Sequence, residues 1–178
     1  MTVGIFDGVH RGHQRLLDRI VSHNAGYVPV VVTFKENHKI VRSVECGVRS
    51  DVTDIQSFED RLAMFEKLGI QITIIIEFSE EFKHMPGIEF LEILLKHGGV
   101  GFFAVGSNFR CGYQLDTDAK AIQSFFASRG IAAEIIPEVC YPTGNHEESL
   151  PISSSRIRAA IGAGNLPLAE DMLGHCQF

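Results

Sequence analysis

His10 and His13 are the residues of this chain whose type and spacing most readily do chemistry. They stand three apart, so at a helix start they share a face. In either neutral tautomer each ring keeps one N–H donor. Two such donors can hold the oxygens of a nucleotide triphosphate and steady the charge that builds on a reacting phosphoryl group. The run around them, Phe6 to His13 (FDGVHRGH), lies between a strand expected at Val3–Phe6 and an amphipathic helix expected over Gln14–Ser22. Ligands of an open α/β sheet bind in that kind of place, beyond the carboxyl end of a strand. Gly8 permits a tight turn, and Gly12 a close approach of ligand to backbone. The unpaired amides of the first helical turn favour an anion there. Two other readings stay open for this segment alone: a metal-binding pair, with no third ligand at an obvious spacing, or surface polar residues at a helix start.

A second cluster is Ile152 to Arg158 (ISSSRIR), which opens a helix near the C-terminus. A serine before a helix is an ordinary N-cap, and that accounts for one of Ser153, Ser154 and Ser155. The remaining hydroxyls, the free amides and Arg158, three residues beyond Ser155, compose a second phosphate cradle. A third cluster is Val105 to Gly112 (VGSNFRCG). Gly106 and Gly112 bracket a loop at another strand's carboxyl end, where Asn108 can bond a phosphate or base edge and Arg110 can meet an anion. A plain strand-to-loop turn is the alternative there. Gly99 to Ala104 (GVGFFA) spells a dinucleotide fingerprint, but it follows a helix and precedes a strand, the reverse of what that fingerprint needs. Glu59-Asp60 and Glu80-Glu81 are neighbours in sequence, so they do not face each other on a helix and read as solvated surface charge.

The elements that must position these clusters alternate between apolar runs and amphipathic stretches. Strands are expected at Tyr27–Phe34, Ile72–Phe78, Phe102–Val105 and Ala132–Val139. The first two read as buried on both faces. Helices are expected over Phe58–Leu68, Ile88–His97, Asp118–Ser128, Ser153–Ala163 and Leu166–Leu173. Residues 35–57 read as a long loop, with a short element around Ile40–Val44, and Cys140–Leu150 as a polar loop. This alternation predicts an α/β fold: an open, mostly parallel sheet with helices on both faces, in one domain of 178 residues. The net charge of −6 argues against non-specific nucleic-acid binding, though not against a nucleotide. No run is long and apolar enough to suggest a membrane span, and no secretory signal opens the chain, so a cytoplasmic setting is expected. Cys46, Cys111, Cys140 and Cys176 show no metal-ligand spacing.

In this order the clusters resemble the adenylyltransferase module of bacterial bifunctional riboflavin kinase/FAD synthetases. Gly4 to Gln14 (GIFDGVHRGHQ) is similar to that family's opening signature, Val32-Thr33-Phe34 to its second strand, and Arg61 to Ile70 (RLAMFEKLGI) to its next helix. Glu81-Phe82 with Phe90-Leu91, Gly106 to Gly112, Ile152 to Arg158 and Leu173-Gly174 follow in register. The resemblance implies a Rossmann-like nucleotidyltransferase that transfers AMP from ATP to FMN with Mg²⁺, giving FAD and pyrophosphate. It implies nucleotide binding by Gly4, Ile5, Phe6, Asp7, Gly8, His10, Gly12, His13, Gly106, Asn108, Ser153, Ser154, Ser155 and Arg158. Of these, His10, His13, Asn108 and Arg158 would act in the transfer, and Thr33, Phe34, Asn108 and Arg110 would meet the flavin. No riboflavin kinase module is expected. Lys35 to Lys39 (KENHK) depart from the proline-containing run usual in the family. The alternatives are adenylyl or cytidylyl transfer to another phosphorylated acceptor, and a non-catalytic flavin- or nucleotide-binding protein.

Overall fold

The computed structural model describes residues 1–23, 26–35, 54–142 and 149–176. The chain begins with β1 (Thr2–Val3), α1 (Arg11–Val21), β2 (Val30–Phe34), α2 (Phe58–Lys67) and β3 (Ile72–Ile76). A short α3 (Glu80–Lys83) and the longer α4 (Gly87–Gly98) lead to β4 (Phe102–Gly106). Next come a small antiparallel pair, β5 (Arg110–Cys111) and β6 (Thr117–Asp118), then α5 (Ala119–Ala127) and β7 (Ala132–Ile136). The antiparallel arms β8 (Cys140–Pro142) and β9 (Ser149–Pro151) precede α6 (Ser154–Gly162) and α7 (Leu166–Leu173).

β1 pairs with β2, β2 with β3, and β4 with β7, all in parallel. Two main-chain bonds join the two sets: the Met1 amino group donates to Phe102 O at 2.7 Å, and Ala104 N donates to Met1 O at 3.1 Å. The strands therefore lie in the spatial order β3-β2-β1-β4-β7. The chain builds outward from β1 and then returns to β1's other side as β4. A reversal of this kind opens a crevice at the strands' carboxyl ends.

Both faces of the sheet are covered, and the period of two along each strand assigns side chains to them. Val31, Phe102 and Ala104 pack with Leu16, Leu17 and Ile20 of α1 and Phe65 of α2. The alternate residues Val32, Phe103 and Val105 pack with Phe90, Leu91 and Leu94 of α4 and Ile122, Phe125 and Phe126 of α5. A third cluster forms between α6 and α7 from Ile157, Ala160, Ala169, Met172 and Leu173, with Ile55 and Ile152 against it.

Some elements differ from expectation. β1 ends at Val3, because the chain turns at Phe6, whose φ is 56°. β3 is the outer strand of its sheet among the described residues, and Ile72, Ile74 and Ile75 are 47, 36 and 45% exposed. An apolar run marks a strand without telling whether it has one neighbour or two. Residues 140–150, read as a loop, contain the pairing arms β8 and β9. The expected element at Ile40–Val44, the atypical residues 36–39 and Cys46 lie outside the described residues. Cys111, Cys140 and Cys176 are free thiols, and both acidic pairs are exposed.

Candidate active site

The crevice is floored by a turn. Val9 N donates to Phe6 O at 3.0 Å, and Gly8 takes φ +79° at the bend. Phe6 and Val9 also have positive φ, at 56° and 35°, an unfavourable conformation for non-glycine residues that persists where surroundings enforce it. The surroundings here are specific. The Ile5 carbonyl accepts from Arg61 Nη1 at 2.6 Å and from Thr33 Oγ1 at 3.3 Å. Gln14 Nε2 donates to Val9 O at 2.8 Å and to Leu173 O at 2.7 Å, and His175 Nε2 lies 3.2 Å from Gly8 O. The turn is thus held from β2, α2 and the end of α7.

His10 is the N-cap of α1, and its Nδ1 accepts from His13 N at 3.3 Å. With Nδ1 occupied as an acceptor, the neutral ring carries its proton on Nε2, as a donor. Burial pushes the His10 imidazole down to about 4, so it is neutral at pH 7. The His13 ring stacks on it with centroids 3.6 Å apart and lies edge-on to Phe6 at 5.2 Å. Burial first, then the positive potentials of His10 and Arg61, hold His13 well below the usual histidine range. Gly12 also lies against the His10 ring. A Cβ there would stand 3.2 Å from His10 Cε1 and Nδ1, so the glycine makes room for the imidazole itself.

Asp7 joins the first cluster to the second. Its carboxylate, 4% exposed, accepts from Ile55 N at 2.9 Å and pairs closely with Arg158 Nη2. Its carbonyl accepts from Ser154 Oγ at 3.0 Å. Burial pushes the Asp7 carboxyl up, against the pull of the Ile55 amide and Arg158. The three serines separate by role. Ser153 caps α6 by accepting from Arg156 N, Ser154 ties the helix to Asp7, and Ser155 is exposed. Two helix N-termini, those of α1 and α6, therefore meet around one turn, and each presents first-turn amides suited to an anion.

The Gly106–Gly112 segment leaves β4, the strand beside β1, so it borders the same crevice. Asn108 and Arg110 are exposed, and Asn108 Nδ2 donates to Glu138 in a close contact. Cys111 is pushed up to about 12 by burial and by Asp116, which leaves it a protonated thiol at pH 7. Thr33 is fully buried with its hydroxyl on Ile5 O, so it supports the turn. Phe34 ends β2 within an aromatic group: its ring is 5.8 Å from both Phe78 and Phe82, and Phe82 is 5.5 Å from Phe90. Among the described residues no three His, Cys, Asp or Glu side chains gather as a metal cage.

Arg61, Gln14, Glu138 and His175 carry contacts that sequence reasoning did not assign. Arg61 had a visible signal, since it shares the buried face of α2 with Phe65, four residues on. The other three contacts depend on chain segments brought together only by the fold.

The chain matches the FAD synthetase family over residues 1–156. It is 29% identical over 177 residues to the bifunctional riboflavin kinase/FMN adenylyltransferase of Escherichia coli, covering 98% of this chain and 54% of that protein. The protein of the same name in Listeria monocytogenes is 27% identical, with 98% and 53% covered. This chain thus spans about half the length of these curated relatives. A solved structure described as a macrolide-efflux protein from Streptococcus pneumoniae superposes with a TM-score of 0.78 at 26% identity, covering 98% of this chain and 56% of that one.

Proposed function

The chain belongs to the FAD synthetase family, and from that premise we propose that it transfers the AMP moiety of ATP to FMN, forming FAD and pyrophosphate. The observation that carries this reading is the convergence of the α1 and α6 N-termini on one turn at the β1/β4 reversal, with a stacked, neutral histidine pair at its centre.

The chemistry asks little covalent help of the protein. A phosphate oxygen of FMN bonds to the α-phosphorus of ATP, the bond from that phosphorus to the bridging oxygen breaks, and pyrophosphate leaves with the electron pair. The nucleophile is already anionic near neutral pH. Orientation and electrostatic stabilisation supply the rate. His10 offers an Nε2–H donor, His13 a second ring, and the first-turn amides of α1 and α6 hold phosphate oxygens. Arg158, anchored by Asp7, adds a guanidinium beside them. Asn108 borders the crevice from the β4 side and suits substrate phosphate or ribose. Mg²⁺ enters with ATP as part of the substrate, bound mainly by triphosphate oxygens and water, as this ion commonly is. No helix among the described residues is long and apolar enough to cross a membrane.

The acceptor is assigned to FMN on the family match; at the carboxyl ends of β2 and β3, Phe34 is buried in the core and the partly exposed Phe78 and Phe82 pack against it. Purified protein given MgATP and a panel of acceptors, read by mass spectrometry, is expected to form FAD from FMN; adenylylation of another acceptor alone would redirect the assignment. His13→Ala should keep the fold and lose roughly 10²–10³ in kcat, the usual cost of removing one such donor. Turnover like wild type would remove His13 from the mechanism.

A further inference from the structure

Arg61 is a permanent cation shut inside the molecule, 4% exposed. Its guanidinium gives Nη1 to the Ile5 carbonyl at 2.6 Å and Nη2 to the Phe34 carbonyl at 2.9 Å. Among the described residues its buried Nε has no hydrogen-bond partner. Burying a charge in this way is costly unless the site gains from it. Arg61 shares the buried face of α2 with Phe65, and its guanidinium lies 5.0 Å from the Phe58 ring centroid. The two carbonyls it holds are informative. Phe34 ends β2, and Ile5 lies two residues past the end of β1, immediately before the phosphate turn. The clamp therefore sets where the turn begins relative to the neighbouring strand.

We propose that Arg61 is a positioning residue of the transfer reaction: it clamps the carboxyl ends of β1 and β2 beneath the phosphate turn and stands as a fixed positive charge behind His13. This rests on the FMN adenylylation reading given above. A cation held in a water-poor interior complements negative charge gathering on the far side of the turn. The groups facing this pair are His10 on the turn beside His13, and Asp7 and Asp54 beside Arg61. Arg61 lies electrostatically against His13 and disfavours its protonation, adding to the larger effect of burial.

The test uses the whole chain, with R61Q removing the charge and R61K keeping it on a different donor geometry. Two quantities are read: steady-state FAD formation, and the His13 titration midpoint by NMR of the imidazole nitrogens. R61Q is expected to lose about 100-fold in kcat while KM for ATP changes less than about threefold, because the amides that hold bound triphosphate remain. Its His13 midpoint should move up. R61K should leave the midpoint in place and lose less than about tenfold in kcat. R61Q with wild-type kcat or an unmoved midpoint would overturn the proposal, and so would R61K moving the midpoint as far as R61Q does. If R61Q does not fold, R61K decides: a kept midpoint with a modest kcat loss supports the proposal, and a moved midpoint or a 100-fold loss defeats it. Wild-type protein that makes no FAD would instead remove the functional reading, leaving the titration to judge Arg61's charge by itself.

Discussion

The His10 ring is fixed on three sides. Its Nδ1 takes the His13 amide at 3.3 Å, one face stacks on His13 at 3.6 Å, and Gly12 lies close enough that a methyl would stand 3.2 Å from the ring. The spacing of the motif follows from this packing: the second histidine supplies the amide and the stacking partner, and the glycine between them supplies the room. Gly12→Ala separates site geometry from stability. Gly12 lies inside α1, where alanine gains up to about 1 kcal/mol in helix propensity. The new methyl must push the His10 ring and lengthen a cap bond that is already long. Thermal unfolding should therefore stay level or rise, while kcat falls about tenfold or more, the equivalent of about 1.4 kcal/mol in the barrier. Unchanged kcat would show that the ring has slack. The histidines themselves were legible in the sequence because residue type and spacing are local. Asp7's role was not, because its partner Arg158 lies 151 positions away.

At the scale of elements, α6 shows how one helix start divides labour among like residues. Ser153 satisfies an amide of its own helix, Ser154 crosses to the Asp7 carbonyl, and Ser155 faces solvent. Ser153→Ala should cost about 1 kcal/mol of stability, as lost N-caps do. Ser155→Ala should leave the melting temperature unchanged and raise KM for ATP. Ser154→Ala should fall between the two, losing stability and kcat together because it loosens α6 from the turn. Parallel melting curves and steady-state kinetics on the three variants check this; equal effects at all three positions would contradict the division. The sequence located this helix start and predicted one capping serine, but which serine caps depends on where the backbone leaves extended geometry. The same limit explains β3. Its run, like that of β2, is apolar and largely β-branched with a single threonine, and only the sheet order makes one central and the other outermost among the described strands. The β8 and β9 arms were hidden for the opposite reason, since short, partly polar strands carry little periodicity.

For the molecule as a whole, concentrating buried titratable groups at the β1/β4 reversal makes folding stability depend on pH. His10 titrates near 4 in the folded protein and near the ordinary 6.5 when unfolded, and His13 is displaced in the same direction. A histidine with a depressed folded value is neutral in both states above pH 6.5, so it costs nothing there. As pH falls from 6.5 towards 4, the unfolded chain takes up protons that the folded chain refuses, and stability declines. By pH 5 this amounts to about 2 kcal/mol for His10, and His13 adds to it in the same direction. Asp7 works the other way: its carboxyl is raised by burial, so the cost of keeping it ionised is relieved as pH falls through its folded value. Glu134, held down by Arg19, loses its contribution only below about 4.5. The Met1 amino group, lowered by burial from 8.0 to about 6, acts in the same direction but mostly above pH 6. Between pH 6.5 and 5, the difference between the wild type and a variant without the two rings therefore reports on the histidine pair. Denaturant unfolding measured across this interval should show stability falling as pH is lowered, with a His10→Gln/His13→Gln double variant giving a much flatter profile. A wild-type profile as flat as that of the variant would mean that the pair is not held in its neutral form by burial, and the donor role assigned to His10 would lose its physical basis.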